Sequence, residues 1–257
     1  MKLGICSSPA EAAVLPDGAV DFIEANVQNF LVPLQEDAAF APHAEAAASS
    51  KFPVYSANCF LPGSLKSTGP EVDFGALEAY AATAFARAER VGMKVVVFGS
   101  GGSRQVPEGF APERAWEQFA EVLRRIGPLA AGHGVTVVVE PLGRGECNFL
   151  NTVVEGARMI REVWHPAIRL LADFYHMMRN EEDPASLGGV VELLAHTHAA
   201  EKEKRTAPGI AGDDFRPFLA PLRAGGYAGA LALECSFPNG HAADVPRALA
   251  TLRAHGA

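Results

Sequence analysis

Short apolar runs alternate with longer, alanine-rich stretches along the whole chain, and this alternation limits the fold more than any other feature of the sequence. Residues 95–98 and 135–139 are apolar on both faces, which is typical of parallel strands that are covered by helices on one side. Eight such strands are predicted, at residues 2–6, 21–25, 53–57, 94–99, 135–140, 168–173, 194–199 and 230–234.

Apolar residues recur at helical spacing between these strands. Residues 74–91 have such a stripe, which predicts an amphipathic helix. Pro112 is well placed to open a helix over 112–131, whereas Pro128 is expected to break or kink its last turn. The segment before the second strand is short and poorly periodic, so a first helix there is weakly supported. The remaining predicted helices span residues 152–163, 184–194, 214–224 and 245–255. Asp214 and Asp244 are expected in the first turn or at the cap of two of them.

The number of strands and the length of the chain together indicate the fold. A barrel of eight strand–helix units typically takes about 250 residues, and the chain has 257. We therefore predict one α/β domain over residues 1–257, a single (β/α)8 TIM barrel. An open doubly wound sheet is the alternative, because a sequence does not show where a strand order reverses. No GxGxxG follows a predicted strand.

Composition excludes several classes of partner. The net charge is −8, and a nucleic-acid partner is not expected because it would require a basic face. No apolar run approaches the roughly 20 residues that cross a bilayer, so no membrane partner is expected. Residues 1–6 resemble a strand rather than a signal peptide. The four cysteines have no CxxC spacing, which favours reduced thiols and a cytoplasmic location.

Four consecutive strands end in a group that can bind a metal. Each of these side chains follows an apolar run, and an ionised carboxylate in such a place is costly unless a cation lies beside it. Three carboxylates and one imidazole suit Mn²⁺, Mg²⁺ or Co²⁺, with Zn²⁺ as an alternative. The predicted ligands of one divalent ion are Glu140, Asp173, His198 and Glu234.

Strand alternation ranks the remaining polar residues. His196 and His198 are two residues apart and face the same way, so the later one lies nearer the mouth of the barrel. We expect His198 to be the ligand and His196 to support it from below. Glu24 and Asn58 end the second and third strands, and they either face the same pocket or cap helices.

The second half of the chain resembles the ketose 3-epimerases that act on D-tagatose and D-psicose, and more broadly the xylose-isomerase-like superfamily of sugar isomerases and epimerases. The segment EPLGRGECNFLNT resembles their EPLNR-x-E…N-x-x-NT segment, and DFYHM resembles D-x-x-H-M. The matching parts are residues 140–152, 173–177 and 196–201, Arg205, the Pro208-Gly209 pair and residues 233–234.

This resemblance implies a function and a role for each matching residue. The four predicted ligands would hold the metal, and two of them, Glu140 and Glu234, would also be the acid–base pair. The metal would bind a keto-sugar's carbonyl and neighbouring hydroxyl, and a proton would leave and return at the carbon between them through an enediolate. A homodimer or homotetramer is implied as well. The residues that would touch substrate oxygens are Glu146, His176 and Arg205.

Some residues depart from the epimerase pattern, so other functions stay open. Gly143, Gly145 and the glycine-rich loop 99–104 replace larger residues, which suggests room for a bulkier substrate. A lyase or dehydratase of the same superfamily, acting on a keto-inositol or a 3-keto-glycoside, is the first alternative. An apurinic-endonuclease-like enzyme and a non-catalytic sugar-binding barrel are the others.

Overall fold

Eight parallel strands close into a barrel in which every strand pairs with its sequence neighbours and the last pairs with the first. The computed structural model describes residues 1–257. The closure, Leu3 beside Leu231, rules out the open sheet and confirms the predicted (β/α)8 barrel. The strands are β1 (Lys2–Cys6), β2 (Phe22–Asn26), β3 (Val54–Asn58), β4 (Val95–Phe98), β5 (Thr136–Val139), β6 (Ile168–Asp173), β7 (Leu194–Ala199) and β8 (Ala230–Leu233).

Helices follow the strands and cover the outside of the barrel. The long ones match the predictions closely; Thr152 caps α6 through a capping box with Glu155. The helices are α1 (Pro9–Ala12), α2 (Asp37–Ala48), α3 (Phe74–Arg90), α4 (Gly101–Arg104), α5 (Pro112–Gly132), α6 (Val153–Val163), α7 (Phe174–Arg179), α8 (Arg216–Ala224) and α9 (His241–Ala254), with a π-helical turn at Val27–Leu31 and 3-10 turns at Pro184–Gly189 and Val191–Leu193.

Three helix predictions were wrong or incomplete. Helix α5 runs through Pro128, because the missing N–H falls one turn before the end and removes a single helical hydrogen bond. Residues 184–194 form 3-10 turns rather than an α-helix, since Gly188 and Gly189 disfavour one. Helix α2 had no prediction because only Phe40 is buried on it, and it therefore has no apolar stripe.

Alternation within the strands divides side chains between two apolar regions. Val96 and Phe98 point outward into the main core between barrel and helices, whereas Val95 and Val97 belong to a small cluster that also contains Val138 and Leu171. The two faces of each strand therefore meet different neighbours. Two residues after Val138 and Leu171 come Glu140 and Asp173, so these carboxylates continue the inward face to the mouth of the barrel.

Two further observations concern membrane-spanning helices and cysteines. No helix is both long enough and apolar enough to cross a membrane. The four cysteines are all free.

Phe98 anchors a cluster of aromatic rings in the main core. Its ring centroid lies 5.3 Å from that of Phe60 and 5.1 Å from that of Phe119, and all three are fully buried. We expect Phe98→Ala to lower the free energy of unfolding by about 3–5 kcal/mol, because it removes a large buried side chain and leaves a cavity. Urea denaturation followed by circular dichroism measures this. Trp164→Ala is the control, since Trp164 is 84% exposed; equal effects of the two changes would contradict the assigned core.

Candidate functional site

The structure brings the four predicted ligands together at the mouth of the barrel. One ligand atom from each lies within 4.8 Å of every other. Pairing of β6 with β7 sets Asp173 directly beside His198, while the strand order places Glu140 on one side of this pair and Glu234 on the other. The inward alternation of four neighbouring strands therefore produces a compact set of three carboxylates and one imidazole.

The His198 ring is oriented by hydrogen bonds at both nitrogens. Its Nε2 lies 2.8 Å from Oε1 of Glu24, and its Nδ1 lies 3.1 Å from Oε1 of Glu140 and 3.1 Å from Oε2 of Glu234. Burial alone would lower the pKa of His198, but Glu24 and Glu234 raise it well above its usual value. Nε2 thus points to a buried carboxylate, and Nδ1 faces the cluster of ligand oxygens.

Glu24 lies beneath the site. The sequence did not decide whether its side chain faces the pocket or caps a helix, and in the structure it faces the barrel interior. It is 1% exposed. Its Oε2 accepts a hydrogen bond from Ser56 at 2.7 Å and lies 2.7 Å from Nε2 of His196, and the Cys6 thiol donates to its Oε1 at 3.2 Å. Burial would raise the pKa of Glu24, but the two histidines hold it well below its usual value. His196 supports the site from below, as predicted, by way of Glu24.

The two candidate acid–base glutamates differ in their surroundings. Burial and the neighbouring Glu234 raise the pKa of Glu140 above its usual value. Burial would also raise the pKa of Glu234, but the charge and hydrogen bond of His198, together with Arg205, lower it to about 2. Asn58 donates to Oε1 of Glu234 at 2.7 Å, so this residue too faces the site.

Glycine at position 99 makes room for one of these carboxylates. A Cβ atom there would lie 2.2 Å from Oε2 of Glu140, so any larger residue would displace this carboxylate from its present position. On the other side, the buried guanidinium of Arg104 donates to the carbonyl oxygens of Phe98 and Glu140. The loop after β4, which includes the helical turn Gly101–Arg104, therefore holds the backbone of Glu140 in place and leaves room for its carboxylate.

Arg205 reaches into the site from the loop after β7. Its Nη2 lies 3.2 Å from Oδ2 of Asp173 and donates to Oε2 of Glu234. Its guanidinium also lies 4.6 Å from the ring centroid of Tyr175. Burial alone would lower the pKa of Arg205, but the two carboxylates raise it. Arg205 is therefore anchored over the site rather than free in solvent.

A buried carboxylate holds this loop in shape. Glu201 is fully buried and accepts hydrogen bonds from the backbone N–H groups of Gly209 at 2.8 Å and Gly212 at 2.9 Å, from that of Ala211, and from the Thr206 hydroxyl at 3.1 Å. The acceptor lies at the start of the loop and its donors lie in the middle and second half. The loop is thereby closed around one acceptor, and Arg205 is held over the site.

His176 offers a polar atom with no partner inside the protein. The residue is 2% exposed, its Nε2 lies 3.5 Å from Oδ2 of Asp173, and its buried Nδ1 makes no hydrogen bond. Oε1 of Glu146 lies 3.7 Å from this nitrogen, beyond hydrogen-bond distance. A Cβ atom on Gly143 would lie 3.3 Å from Nδ1, so any larger residue at this position would crowd the nitrogen. Buried groups of this kind usually have a partner, and a bound molecule is the natural candidate.

A cavity of about 340 Å³, which we call the central cavity, contains the predicted substrate-binding residues and both glutamates of the site. Its volume falls in the range of small-molecule sites. Glycines of the 99–102 loop form one wall. The functional residues that line it are Glu140, Glu146, His176, Arg205 and Glu234.

The donor set fits a divalent metal ion. Ligands bound 2.0–2.3 Å from one ion are at most about 4.6 Å apart, so shifts of a few tenths of an ångström would suffice. The contact of Nε2 with Glu24 leaves Nδ1 of His198 free to coordinate, and a carboxylate is one of the common partners for the far nitrogen of a metal-binding histidine. An ion would also relieve the repulsion among the three carboxylates.

Comparison with known proteins agrees with the resemblance noted in the sequence. The sequence model of a family described as "Xylose isomerase-like TIM barrel" matches residues 17–255. A 3-dehydro-D-guloside 4-epimerase of Escherichia coli (strain K12) is 34% identical over 119 residues, 46% of this chain and 45% of that protein. A D-psicose 3-epimerase of Ruminiclostridium cellulolyticum is 30% identical over 123 residues, 46% of this chain and 41% of that protein. These alignments span less than half the length of either relative.

A solved structure shares the fold over the whole chain. The 3-keto-D-glucoside 4-epimerase from E. coli superposes with a TM-score of 0.78 and covers 99% of both chains, at 22% sequence identity. The likeness supports the closed barrel and its strand order.

Replacing Glu24 tests whether it orients the His198 ring for metal binding. We expect Glu24→Gln to weaken divalent-ion affinity by about 10- to 100-fold, because the amide is a poorer acceptor for Nε2–H and can instead present a donor to it. Titration calorimetry with Mn²⁺ measures the change without any substrate. Glu11→Gln is the control, since a glutamine preserves the capping box that Glu11 forms with Ser8. Equal affinities of Glu24→Gln and the unmodified protein would refute the role.

Proposed function

Because the chain belongs to the xylose isomerase-like TIM barrel family, we propose that it is a divalent-metal-dependent sugar epimerase or isomerase that moves a proton beside the carbonyl of a keto-sugar. The observation that carries the proposal is the convergence of Glu140, Asp173, His198 and Glu234 within 4.8 Å beside the central cavity. Two of the curated relatives are sugar epimerases, which favours the same class of reaction here.

The four converging residues divide between two tasks in this proposal. Asp173 and His198 are almost completely buried, and they would hold the ion alone. Glu140 and Glu234 also line the central cavity, so they would hold the ion and reach the substrate. A bound divalent ion would polarise the carbonyl and the adjacent hydroxyl and make the C–H between them more acidic.

Proton transfer requires a base on one face of the substrate carbon and an acid on the other. Glu140 follows β5 and Glu234 follows β8, so the two carboxyl groups approach the cavity from different sides. One ionised glutamate takes the proton, and the C–H electron pair enters the enediolate of the substrate. The other glutamate, protonated, gives its proton to the opposite face, and the carbon is inverted. The two groups finish with exchanged protonation states.

The remaining residues of the cavity would bind and orient the sugar. The unpartnered Nδ1 of His176 suits a substrate hydroxyl or carbonyl oxygen, since it can donate or accept according to its tautomer. Arg205 would steady the negative charge that develops on the enediolate. Glu146 is exposed at the entrance, and its carboxylate can accept hydrogen bonds from sugar hydroxyls.

The ion, the partners and the location complete the proposal. Oxygen-rich ligation with one imidazole favours Mn²⁺, Mg²⁺ or Co²⁺ over Zn²⁺. The proposed partner is a small sugar or sugar-derived ketone rather than nucleic acid, in keeping with the acidic chain. A homodimer or homotetramer, a cytoplasmic location and a single domain remain our predictions.

Exchange of substrate hydrogen with solvent tests the proton transfer directly. We expect the Mn²⁺-loaded protein to incorporate deuterium from D₂O at one carbon next to the carbonyl of a ketose or 3-keto-glycoside. Glu140→Gln and Glu234→Gln should each lower the exchange rate by about 10²- to 10⁴-fold, because each removes a proton-transfer group. Mass spectrometry measures exchange, and Glu203→Gln, an exposed acid in the loop before Arg205, is the matched control.

The outcomes separate the candidate functions. Exchange without loss of water or aglycone supports epimerisation or isomerisation, whereas release of either product would show the lyase. No exchange on any ketose, keto-inositol or 3-keto-glycoside with metal bound would reject the proton-transfer proposal and leave a binding protein. Cleavage of abasic duplex would indicate the endonuclease.

A further inference from the structure

The central cavity has a polar wall across the barrel from the four predicted ligands. Those ligands lie at the ends of β5 to β8, whereas this wall belongs to the loops that follow β2, β3 and β4. In a closed ring of eight strands these two halves face each other. A ligand that touches the metal-binding half therefore presents its other end to this wall. We call it the far wall, and its side chains are Gln28, Cys59, Leu61 and Ser100.

The backbone of residues 59–61 holds the far wall in place. Phe60 lies in the aromatic cluster of the core. Its N–H donates to the carbonyl oxygen of Val97 at 3.3 Å, and its own carbonyl oxygen accepts a hydrogen bond from the Tyr80 hydroxyl at 2.8 Å. The residues on either side of Phe60 therefore present their backbone polar groups from a fixed position.

Gln28 and Ser100 each use one polar atom on this segment and keep another free. Nε2 of Gln28 donates to the carbonyl oxygens of Cys59 at 2.8 Å and Leu61 at 3.4 Å. Oγ of Ser100 accepts a hydrogen bond from the N–H of Leu61 at 2.9 Å. The two carbonyl groups fix the orientation of the Gln28 amide, since only its NH₂ can donate to them. Oε1 of Gln28 and the hydroxyl hydrogen of Ser100 have no partner within the protein.

The backbone of the far wall is strained at two places. Ser100 has a φ of +43° and Cys59 a φ of +54°, in the left-handed region that residues other than glycine rarely adopt. Such a conformation persists only where the surrounding structure enforces it, and it is common at ligand-binding sites. Two strained residues at the ends of neighbouring strands, both lining one cavity, therefore point to a functional role for this wall.

A hydroxyl group fits the free acceptor and the free donor together. Both side chains are tied to Leu61, so their free atoms lie on one small part of the far wall. A hydroxyl can donate to Oε1 of Gln28 and accept from Ser100 at the same time. A phosphate or carboxylate oxygen only accepts and would be repelled by Oε1, whereas a methyl group would leave both half-buried groups without a partner.

We infer that Gln28 and Ser100 bind one hydroxyl group of the substrate, remote from the reacting carbonyl, and that they select for substrates that carry this hydroxyl. The carbonyl lies over the four ligands, and the rest of the molecule crosses the central cavity to the far wall. The inference rests on the proposed function, because it takes the four ligands to mark the end at which the ketone reacts. Both residues lie outside the segments that resemble the epimerases.

Monodeoxy substrates test the inference. Deuterium exchange from D₂O is measured with whichever of D-tagatose, D-psicose, 3-keto-glucose and a keto-inositol exchanges fastest. It is also measured with derivatives of that ketone that each lack one hydroxyl remote from the carbonyl. We expect one derivative to lose about 10- to 100-fold in kcat/KM with the unmodified protein, because it leaves Oε1 of Gln28 and the Ser100 hydroxyl without a partner.

Two variants connect this selectivity to the far wall. Ser100→Ala and Gln28→Met each remove one of the two free groups, and each should lower kcat/KM about tenfold for the complete substrate but little for the sensitive derivative. A merely structural change would lower both equally. Ser103→Ala is the matched control, since its hydroxyl bonds within the same pair of loops, to Leu65 and Ser67; it should leave the ratio unchanged. Thermal unfolding of each variant verifies that it is folded.

The outcomes separate the two proposals. Equal kcat/KM for the complete substrate and all its derivatives would overturn the hydroxyl site while the proton-transfer proposal stands, and so would equal losses for both substrates in the two variants. Without exchange on any of these ketones the proposed function fails, and calorimetric binding of D-tagatose to the Mn²⁺-loaded protein then decides the hydroxyl site. Binding that both variants weaken and Ser103→Ala does not weaken supports it, and any other result overturns it.

Discussion

The site depends on one electrostatic constraint: three carboxylates must lie close together where almost no solvent reaches them. Glu140, Asp173 and Glu234 all lie within 4.8 Å of one nitrogen of His198 and of each other. Without positive charge beside them, desolvation and mutual repulsion would drive at least one to take up a proton. The protein supplies part of that charge through His198 and Arg205, both of which contact the carboxylates. A divalent ion would supply the rest.

The supporting residues follow from this requirement. Glu24 is the negative group behind the His198 ring, and it is tolerated there because four donors surround it, from Cys6, Ser56, His196 and His198. Arg205 approaches only because Glu201 closes its loop around a buried acceptor. Both networks pair a buried acid with hydrogen-bond donors, which is the condition for burying a charge. The mouth of the barrel is thus preorganised from below and from one side.

Much of this could be predicted from the sequence, because it follows from periodicity. Strand alternation and the rule that parallel strands end on one face are sufficient to bring Glu140 and Asp173 together. The position of Glu24 could not be derived in the same way, because an acid near a predicted strand end can equally cap a helix, and only the closure of β1 on β8 brings β2 near His198. Its place inside the apolar run Phe22-Ile23-Glu24-Ala25 was the available signal. The helix errors have local causes: Pro128 lies so near the end of α5 that it removes only one helical hydrogen bond, whereas Gly188 and Gly189 disfavour an α-helix at 184–194.

The central claim is that these four side chains bind one divalent ion, and anomalous diffraction from crystals grown with Mn²⁺ tests it most directly. The account predicts a single anomalous peak about 2.2 Å from an oxygen of Glu140, Asp173 and Glu234 and from Nδ1 of His198. A peak bound through Nε2 of His198, a peak elsewhere in the barrel, or no peak at this cluster at saturating Mn²⁺ would contradict it.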